Sequence, residues 1–268
     1  MRTHDEGTPH KRYLYWANST VGFRGRRVLE IGGCSPVKQI LSFRPASWTC
    51  INLDVGAVAR FNDEVSALGK REFSATLADV NAADFDASFD IVYSINAFEH
   101  IDALDQLLKR ISTALSPNGA LFTVFGPIWS CDIGHHLSIP TEKGPIGMLD
   151  GVLEPWEHLD RKPNEMLERL IPIHGPQIAN RIVEYVYHYP DLNRKSEWEL
   201  YSALENSGLF PSFVLRKKTK LKGSREYHGK TREFLWVATK KKPMLHEKMS
   251  HAAGFLSAFI FTKVRPTT

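Results

Sequence analysis

Cysteine is scarce and scattered: Cys34, Cys50 and Cys131 are an odd set with no C-x-x-C pair among them. That spacing suggests neither a disulfide framework nor a thiolate zinc site, and a reducing cytoplasm is the simplest compartment. Long apolar runs are missing too. No stretch approaches the roughly 18 apolar residues a spanning helix requires, and the polar start through Arg12 has no signal-peptide core. Charge of one sign is not concentrated: a net charge of +4 permits an anionic ligand without marking a nucleic-acid binder. The G-x-G-x-x-G fingerprint is also absent, which argues against a pyrophosphate held at a helix N-terminus.

What is present is 268 residues with 43% apolar content, enough for one large domain or one domain carrying an insertion. Between residues 27 and 125, short β-rich runs alternate with helix-length segments, the pattern of βαβ units in a parallel sheet. Strands are expected at 27–31, 49–53, 72–75, 89–94 and 120–125. A helix is expected at 103–115, stopped by Ser116-Pro117-Asn118-Gly119. The alternation then lapses until about Arg194, leaving an excursion with apolar helical patterns at 164–170 and 177–187; an insertion of that length is usually functional. A helix at 195–207, stopped at Gly208, and two strands at 213–221 and 232–239 complete the pattern as a hairpin. The run "KKK" and an apolar stretch at 252–264 end the chain. That stretch suits a helix docked on this chain or on a partner subunit, or one resting on a membrane surface.

The stretch "RVLEIGGCSP" (27–36) reads as a buried strand entering a glycine turn, where backbone N–H groups approach a ligand closely. Its acid, Glu30, would repel phosphate and suits a cationic ligand. A second acid, Asp54, ends the next strand, where a carboxylate accepts hydrogen bonds from ribose hydroxyls. A third, Asp79, follows the third strand. Singly, each has a structural alternative as a strand-end acid, a helix cap or a turn former.

Taken in order, "VLEIGGCSP", "INLDV", "LADV", "FDIVYSINAFEHI" and "LSPNGALFTVF" resemble the motifs of the class I S-adenosylmethionine-dependent methyltransferases. The resemblance covers about residues 27–125 plus the later helix and hairpin. It implies an α/β, Rossmann-like fold with a seven-stranded, mostly parallel sheet, helices on both faces and a terminal antiparallel hairpin. One methyltransferase-like domain at 1–242 would carry an inserted lid at about 127–193, followed by a tail at 243–268. It further implies S-adenosylmethionine as cofactor. Glu30, Gly32 and Gly33 would line the methionine end and Asp54 would bind the ribose. Asp79 and Val80 would hold the adenine, with Ser94, Ile95 and Asn96 flanking the sulfonium. The glycine loop departs from the family's pattern, with Cys34, Ser35 and Pro36 where glycines are usual, and Pro36 donates no N–H.

His135 and His136, just past the fifth strand, are candidate general bases, with His100 a further candidate that resembles a family position beside the cofactor. Two loop histidines with structural hydrogen bonds, or a metal site with Asp132 and Asp160 or His158, are the alternatives. Trp129, Trp156, Tyr185, Tyr187 and Tyr189 could enclose a flat or sugar-like acceptor, and the helical spacing of Ile178, Ile182 and Tyr185 suits a core role for most of the tyrosines equally well. The basic run at 216–222 suits either phosphate groups or a lysine-guarded edge strand. The expected activity is methyl transfer to an oxygen or nitrogen of a small or medium acceptor: a sugar, a glycan intermediate or a natural-product-like metabolite. An RNA or nucleotide methyltransferase is the competing enzyme; no separate RNA-binding module or base-flipping motif supports it. A methyltransferase-like scaffold that has lost catalysis, assembled as a homo-oligomer through the tail, is the non-enzymatic alternative.

Overall fold

The computed structural model describes residues 9–264, apart from 86, 87, 143 and 224. Its first half runs α1 (Pro9–Val21), β1 (Arg27–Ile31), α2 (Val37–Phe43), β2 (Ser47–Asn52), α3 (Val55–Ala67), β3 (Phe73–Leu77), β4 (Phe89–Ile95), α4 (Leu104–Ala114) and β5 (Leu115–Phe125). The second half runs β6 (Ser138–Ile139), β7 (Ile146–Gly147), α5 (Glu157–Asp160), α6 (Pro163–His188), α7 (Glu197–Glu205), β8 (Phe210–Lys218), β9 (Thr231–Thr239) and α8 (Leu245–Val264).

The main sheet has seven strands in the order β3-β2-β1-β4-β5-β9-β8. β1 to β5 are parallel, and β9 and β8 close the sheet antiparallel. The expected seven-stranded Rossmann-like sheet with its terminal hairpin is what forms. Period-two alternation feeds two cores. Val28, Trp48, Tyr93 and Phe122 face the helices α1, α2, α3 and α8, while Leu29, Val92, Leu121 and Trp236 face α4 and α7. Because β1 and β4 are neighbours although not consecutive, the chain reverses direction across the sheet there. A crevice outside the strands' carboxyl ends is where such folds bind ligands.

Two elements differ from the sequence expectation. Residues 115–119 form no separate turn; they extend β5 as a wide bulge. Phe89 pairs with Leu115 and Ile91 with Ala120, so five residues advance against two. Pro117 is tolerated because a bulge leaves its missing donor unneeded, and Ser116 Oγ donates to Asp90 at 3.0 Å. The last helix also starts earlier than the apolar stretch, at Leu245. It lies against α1: the Phe255 ring sits 5.0 Å from Trp16 and 5.5 Å from Phe213. The approach is close enough that a Cβ on Gly254 would fall 2.2 Å from Ser19 O.

Between β5 and α7 the chain builds its own small core from Leu137, Ile139, Met166, Leu170, Ile182 and Val186. α6 is broken at Gly175 (φ 76°), between Pro172 and Pro176, into the two helical stretches that the apolar pattern predicts. Ion pairs made by buried carboxylates to partly exposed arginines anchor this segment. Glu157 holds Arg161 at 2.7 Å and Arg169 at 2.5 Å, and Asp132 pairs with Arg232 on β9 while accepting from Thr219 at 2.8 Å. The basic run starts at the end of the edge strand β8 and continues into the loop after Lys218, and Arg216 pairs with Glu197 at 3.0 Å.

Candidate functional site: the carboxyl edge of the sheet

β1 ends in a turn clamped from two sides. Gly32 takes φ 76°, and a Cβ there would fall 2.3 Å from the Cβ of Ala97, so only glycine lets β1 approach the end of β4 this closely. On the other side a Cβ on Gly33 would fall 2.5 Å from Glu30 Oε1. Glu30 is 4% exposed and lies beneath the loop. Its carboxylate accepts from Ser35 N at 3.1 Å, Ser35 Oγ at 2.7 Å and Trp48 Nε1 at 2.7 Å. Burial pushes the Glu30 pKa up, opposed by those hydrogen bonds. The acid therefore organises the loop from inside instead of facing out of it, because Val28 and Glu30 share the α1-side face of β1.

Other donors of this loop are spent internally. Gly32 N donates to Ile51 O at 2.9 Å, and Val37 N donates to Glu64 of α3 at 3.2 Å. The amides of Gly33 and Cys34 have no protein acceptor among the described residues. Glu64 at the start of α2 makes that helix end unsuitable for phosphate.

Two residues past the end of β2, Asp54 caps α3 by accepting from Ala57 N at 2.9 Å and is itself exposed. Leu53 and Val55 on either side are 69% and 66% exposed, and Leu77 at the end of β3 is 50% exposed. Apolar side chains this open, set around a carboxylate at a strand edge, suit a ligand with a flat apolar ring and a hydroxylated linker. Asp79 Oδ1 accepts from Asn81 N at 2.8 Å and shapes the turn after β3, with Val80 buried below it. Arg110 of α4 fixes the same turn, donating to Val80 O and Asn81 O at 2.8 Å each and to Ala83 O, with its guanidinium 4.4 Å from the Phe85 ring centre.

At the end of β4, Ser94 is fully buried and its hydroxyl donates to Ile31 O at 3.0 Å, which stitches β4 to β1. Ile95 is buried, whereas Asn96 is exposed at φ 50°. The short turn Phe98–His100 follows. In it Glu99 is buried, accepts from Gly126 N at 3.0 Å through Oε1, and leaves Oε2 without a partner. Burial raises its pKa to about 8. Asn193 clamps this turn from the far end of the β5–α7 segment, its amide donating to Phe98 O at 2.7 Å and Ile101 O at 3.2 Å.

The two adjacent histidines part company, because His136 takes φ 50°. His135 is 1% exposed, accepts from Leu137 N at 3.1 Å through Nδ1, and packs 5.5 Å from the His158 ring. His136 turns to the sheet edge, its ring 5.3 Å from that of exposed His100. His136 Nε2 sits 2.5 Å from Pro127 O and His100 Nδ1 2.5 Å from Asp191 O. A carbonyl only accepts, so each of those nitrogens carries a proton, and the nitrogens left over to face a ligand are His136 Nδ1 and His100 Nε2. Burial lowers the His136 pKa to about 4 and that of His135 to about 3.

Residues 29–123 match the family described as "Methyltransferase domain". The fold itself matches a solved S-adenosylmethionine-dependent methyltransferase from Mesorhizobium loti with a TM-score of 0.55 at 14% identity, over 85% of this chain and 97% of that one. Over residues 29–123 the chain carries a methyltransferase domain. An uncharacterised Mycobacterium tuberculosis protein is 37% identical over 68 residues, 25% of this chain and 23% of that protein. A ubiquinone biosynthesis O-methyltransferase from Azoarcus sp. is 29% identical over 112 residues, 41% of this chain and 48% of that protein. The chain thus aligns with less than half the length of either curated relative.

The methyltransferase domain's edge brings together Gly32, Gly33, Asp54, Asp79, Asn96 and His100, while Glu30, Val80, Ser94 and Ile95 support it from below. His135 is turned away from that edge. Asp132, Asp160 and His158 do not converge: Asp160 pairs with Arg225 and His228, and His158 Nε2 bonds Trp129 O at 2.7 Å. Leu53, Leu77, Glu99, Arg110 and Asn193 are contributors that sequence reasoning missed. The exposed leucines carry a signal in retrospect, as apolar residues beside the two strand-end acids. The groove between α4 and α7, lined by Asp105, Lys109, Trp198 and Ser202, includes none of these residues. No helix among the described residues is long and apolar enough to cross a membrane.

Proposed function

We propose that the protein is an S-adenosylmethionine-dependent methyltransferase. Its acceptor is an oxygen or nitrogen of a small or medium molecule, such as a sugar, a glycan intermediate or a natural-product-like metabolite, enclosed by the segment between β5 and α7. The observation that carries this reading is the glycine turn at the β1/β4 switch, where such folds bind ligands. There the left-handed Gly32 turn closes on Ala97, and the Asp54 carboxylate stands between exposed Leu53 and Val55. S-adenosylmethionine bound there supplies a methyl group on a cationic sulfur, open to in-line displacement. Asp54 accepts from the ribose hydroxyls, and Leu53 and Leu77 give the adenine an apolar seat beside the turn that Arg110 holds. The Gly33 and Cys34 amides are the donors for the amino-acid carboxylate. Glu30 keeps the loop in shape from beneath, through charge-assisted hydrogen bonds of about 1.5–3 kcal/mol each.

His136 takes the acceptor's proton at Nδ1 as the methyl group adds, and His100 Nε2 is the neighbouring acceptor. A buried imidazole with a pKa near 4 is neutral at pH 7 and so is always ready to receive a proton, though it is a weak base. Release of S-adenosylhomocysteine across a panel of sugars, phenols and amines tests the reading. With the acceptor found, His136→Ala lowers turnover about a hundredfold and leaves the affinity for S-adenosylhomocysteine unchanged. An equal loss of affinity would mean that the histidine only supports the cofactor edge. No acceptor-dependent release from any member of the panel would contradict the small-acceptor assignment.

A further inference from the structure

The cofactor loop carries a thiol pair that the methyl-transfer chemistry does not use. Cys34 is half-buried at the tip of the glycine turn, and Cys50 is fully buried on β2 beneath it. Cys50 and Asn52 share one face of β2 by the period-two rule, and Cys34 Sγ meets that face at Asn52. Asn52 Nδ2 donates to it at 3.8 Å, and Glu30, which holds the next residue Ser35 at 3.1 Å, also holds Cys50, so the loop carrying Cys34 lies over Cys50. Cys50 Sγ in turn lies 3.5 Å from Glu30 Oε2. A half-buried sulfur receiving a hydrogen bond from an amide, with a second thiol beneath the same loop and a carboxylate bonded to that thiol, is the arrangement of a peroxidatic cysteine and its resolving partner.

We propose that Cys34 is oxidised by hydroperoxides and resolved by Cys50 to a disulfide that closes the cofactor loop. The Cys34 sulfur attacks one peroxide oxygen; its S–O bond forms as O–O breaks and the thiol's proton passes to the departing oxygen, giving Cys34 sulfenic acid and water from hydrogen peroxide, or an alcohol from an organic hydroperoxide. The Cys50 thiol gives its proton to Glu30 and attacks Cys34 Sγ; S–S forms as S–O breaks, and the departing hydroxide takes the proton back and leaves as water. The dithiol is oxidised by two electrons and the peroxide is reduced by two. The direction of the thiol acidities agrees: the hydrogen bond from Cys50 lowers the Cys34 pKa, while burial raises that of Cys50. Linking residue 34 to β2 removes Cys50 from Glu30, which holds Ser35, and thereby reshapes the turn. The consequence for cofactor binding rests on the function proposed above; the chemistry does not.

Hydrogen peroxide added to the reduced full-length protein tests this. The expected result is loss of two hydrogen atoms from the intact mass, a Cys34–Cys50 cross-link in peptide maps, and at least tenfold weaker binding of S-adenosylhomocysteine, all restored by dithiothreitol. Cys50→Ser instead accumulates oxygen on Cys34, and Cys34→Ser forms no cross-link. Buried Cys131, whose pKa is pushed up to about 12, stays reduced throughout. Absence of the Cys34–Cys50 cross-link would overturn the oxidation, and a cross-link without loss of affinity would overturn the closure. Reduced protein that binds no S-adenosylhomocysteine, yet forms the cross-link, would refute the proposed function and leave the oxidation standing.

Discussion

Gly32→Ala is expected to weaken binding of S-adenosylhomocysteine at least a hundredfold. The added methyl would fall 2.3 Å from the Cβ of Ala97, and no flexible side-chain end is there to yield. The ends of β1 and β4 must separate, and those ends frame the proposed cofactor site. Alanine at φ 76° adds about 1–2 kcal/mol of backbone cost, and the overpacking adds about 1–3 kcal/mol. Gly25→Ala separates the two effects. It sits at φ 67° with nothing within 4 Å of its would-be Cβ, so it carries the backbone cost alone. Its melting temperature is expected to drop by a few degrees with affinity intact. Calorimetric titration and thermal melts of both variants check this; unchanged affinity in Gly32→Ala would place the ligand elsewhere.

Stability is expected to peak near pH 6.5 and to fall on both sides. On the acid side, His135, His136 and His158 are buried with pKa values near 3, 4 and 4, below the unfolded value of about 6.5. Between those values the unfolded chain binds protons that the native state refuses. Stability is therefore lost as pH falls from about 6.5 toward 4, by about 1.4 kcal/mol per pH unit for each histidine. On the alkaline side Glu99 has the opposite sign. Its pKa rises from 4.5 to about 8, so the native state keeps a proton that the unfolded chain releases. That stabilisation is complete below about 4.5 and declines until pH 8. Glu30, also raised by burial, acts in the same sense. Where the windows overlap the three histidines outweigh the acids; above 6.5 only the acids remain. Melting temperatures measured from pH 5 to 9 check the curve. Glu99→Gln, which retains an acceptor for Gly126 N, is expected to flatten the alkaline arm. A wild-type melting temperature that climbs steadily through pH 8 would refute the buried-carboxyl account.

The alternating β and helix-length segments identify β1 to β5 because strands buried on both faces need near-continuous apolar runs, and turns at Gly32 and Asp54 punctuate them. The strand-end acids and glycines were legible for the same reason: their places follow from the order of the strands. Which way Glu30 faces was also available, since it alternates with Leu29 and shares the side of Val28, yet the motif drew attention to the ligand instead. Other features depend on contacts far apart in sequence. Asn193 clamps the turn at 98–101, Arg110 holds the turn at 80–83, and Glu99 bonds Gly126; no local pattern announces any of them. His135 and His136 are indistinguishable in sequence, and only the left-handed backbone at His136 decides which one meets His100. The packing of α8 on α1 was equally hidden, because Gly254 matters only against Ser19.

Calorimetric titration of the reduced protein with S-adenosylmethionine and S-adenosylhomocysteine, repeated on Asp54→Ala, tests the central claim most directly. The account predicts saturable binding of both, weakened about tenfold or more in the variant, equivalent to about 1.4 kcal/mol, with the melting temperature lowered only by the lost α3 cap, about 1 kcal/mol. No heat of binding for either compound in the reduced wild-type protein would contradict it.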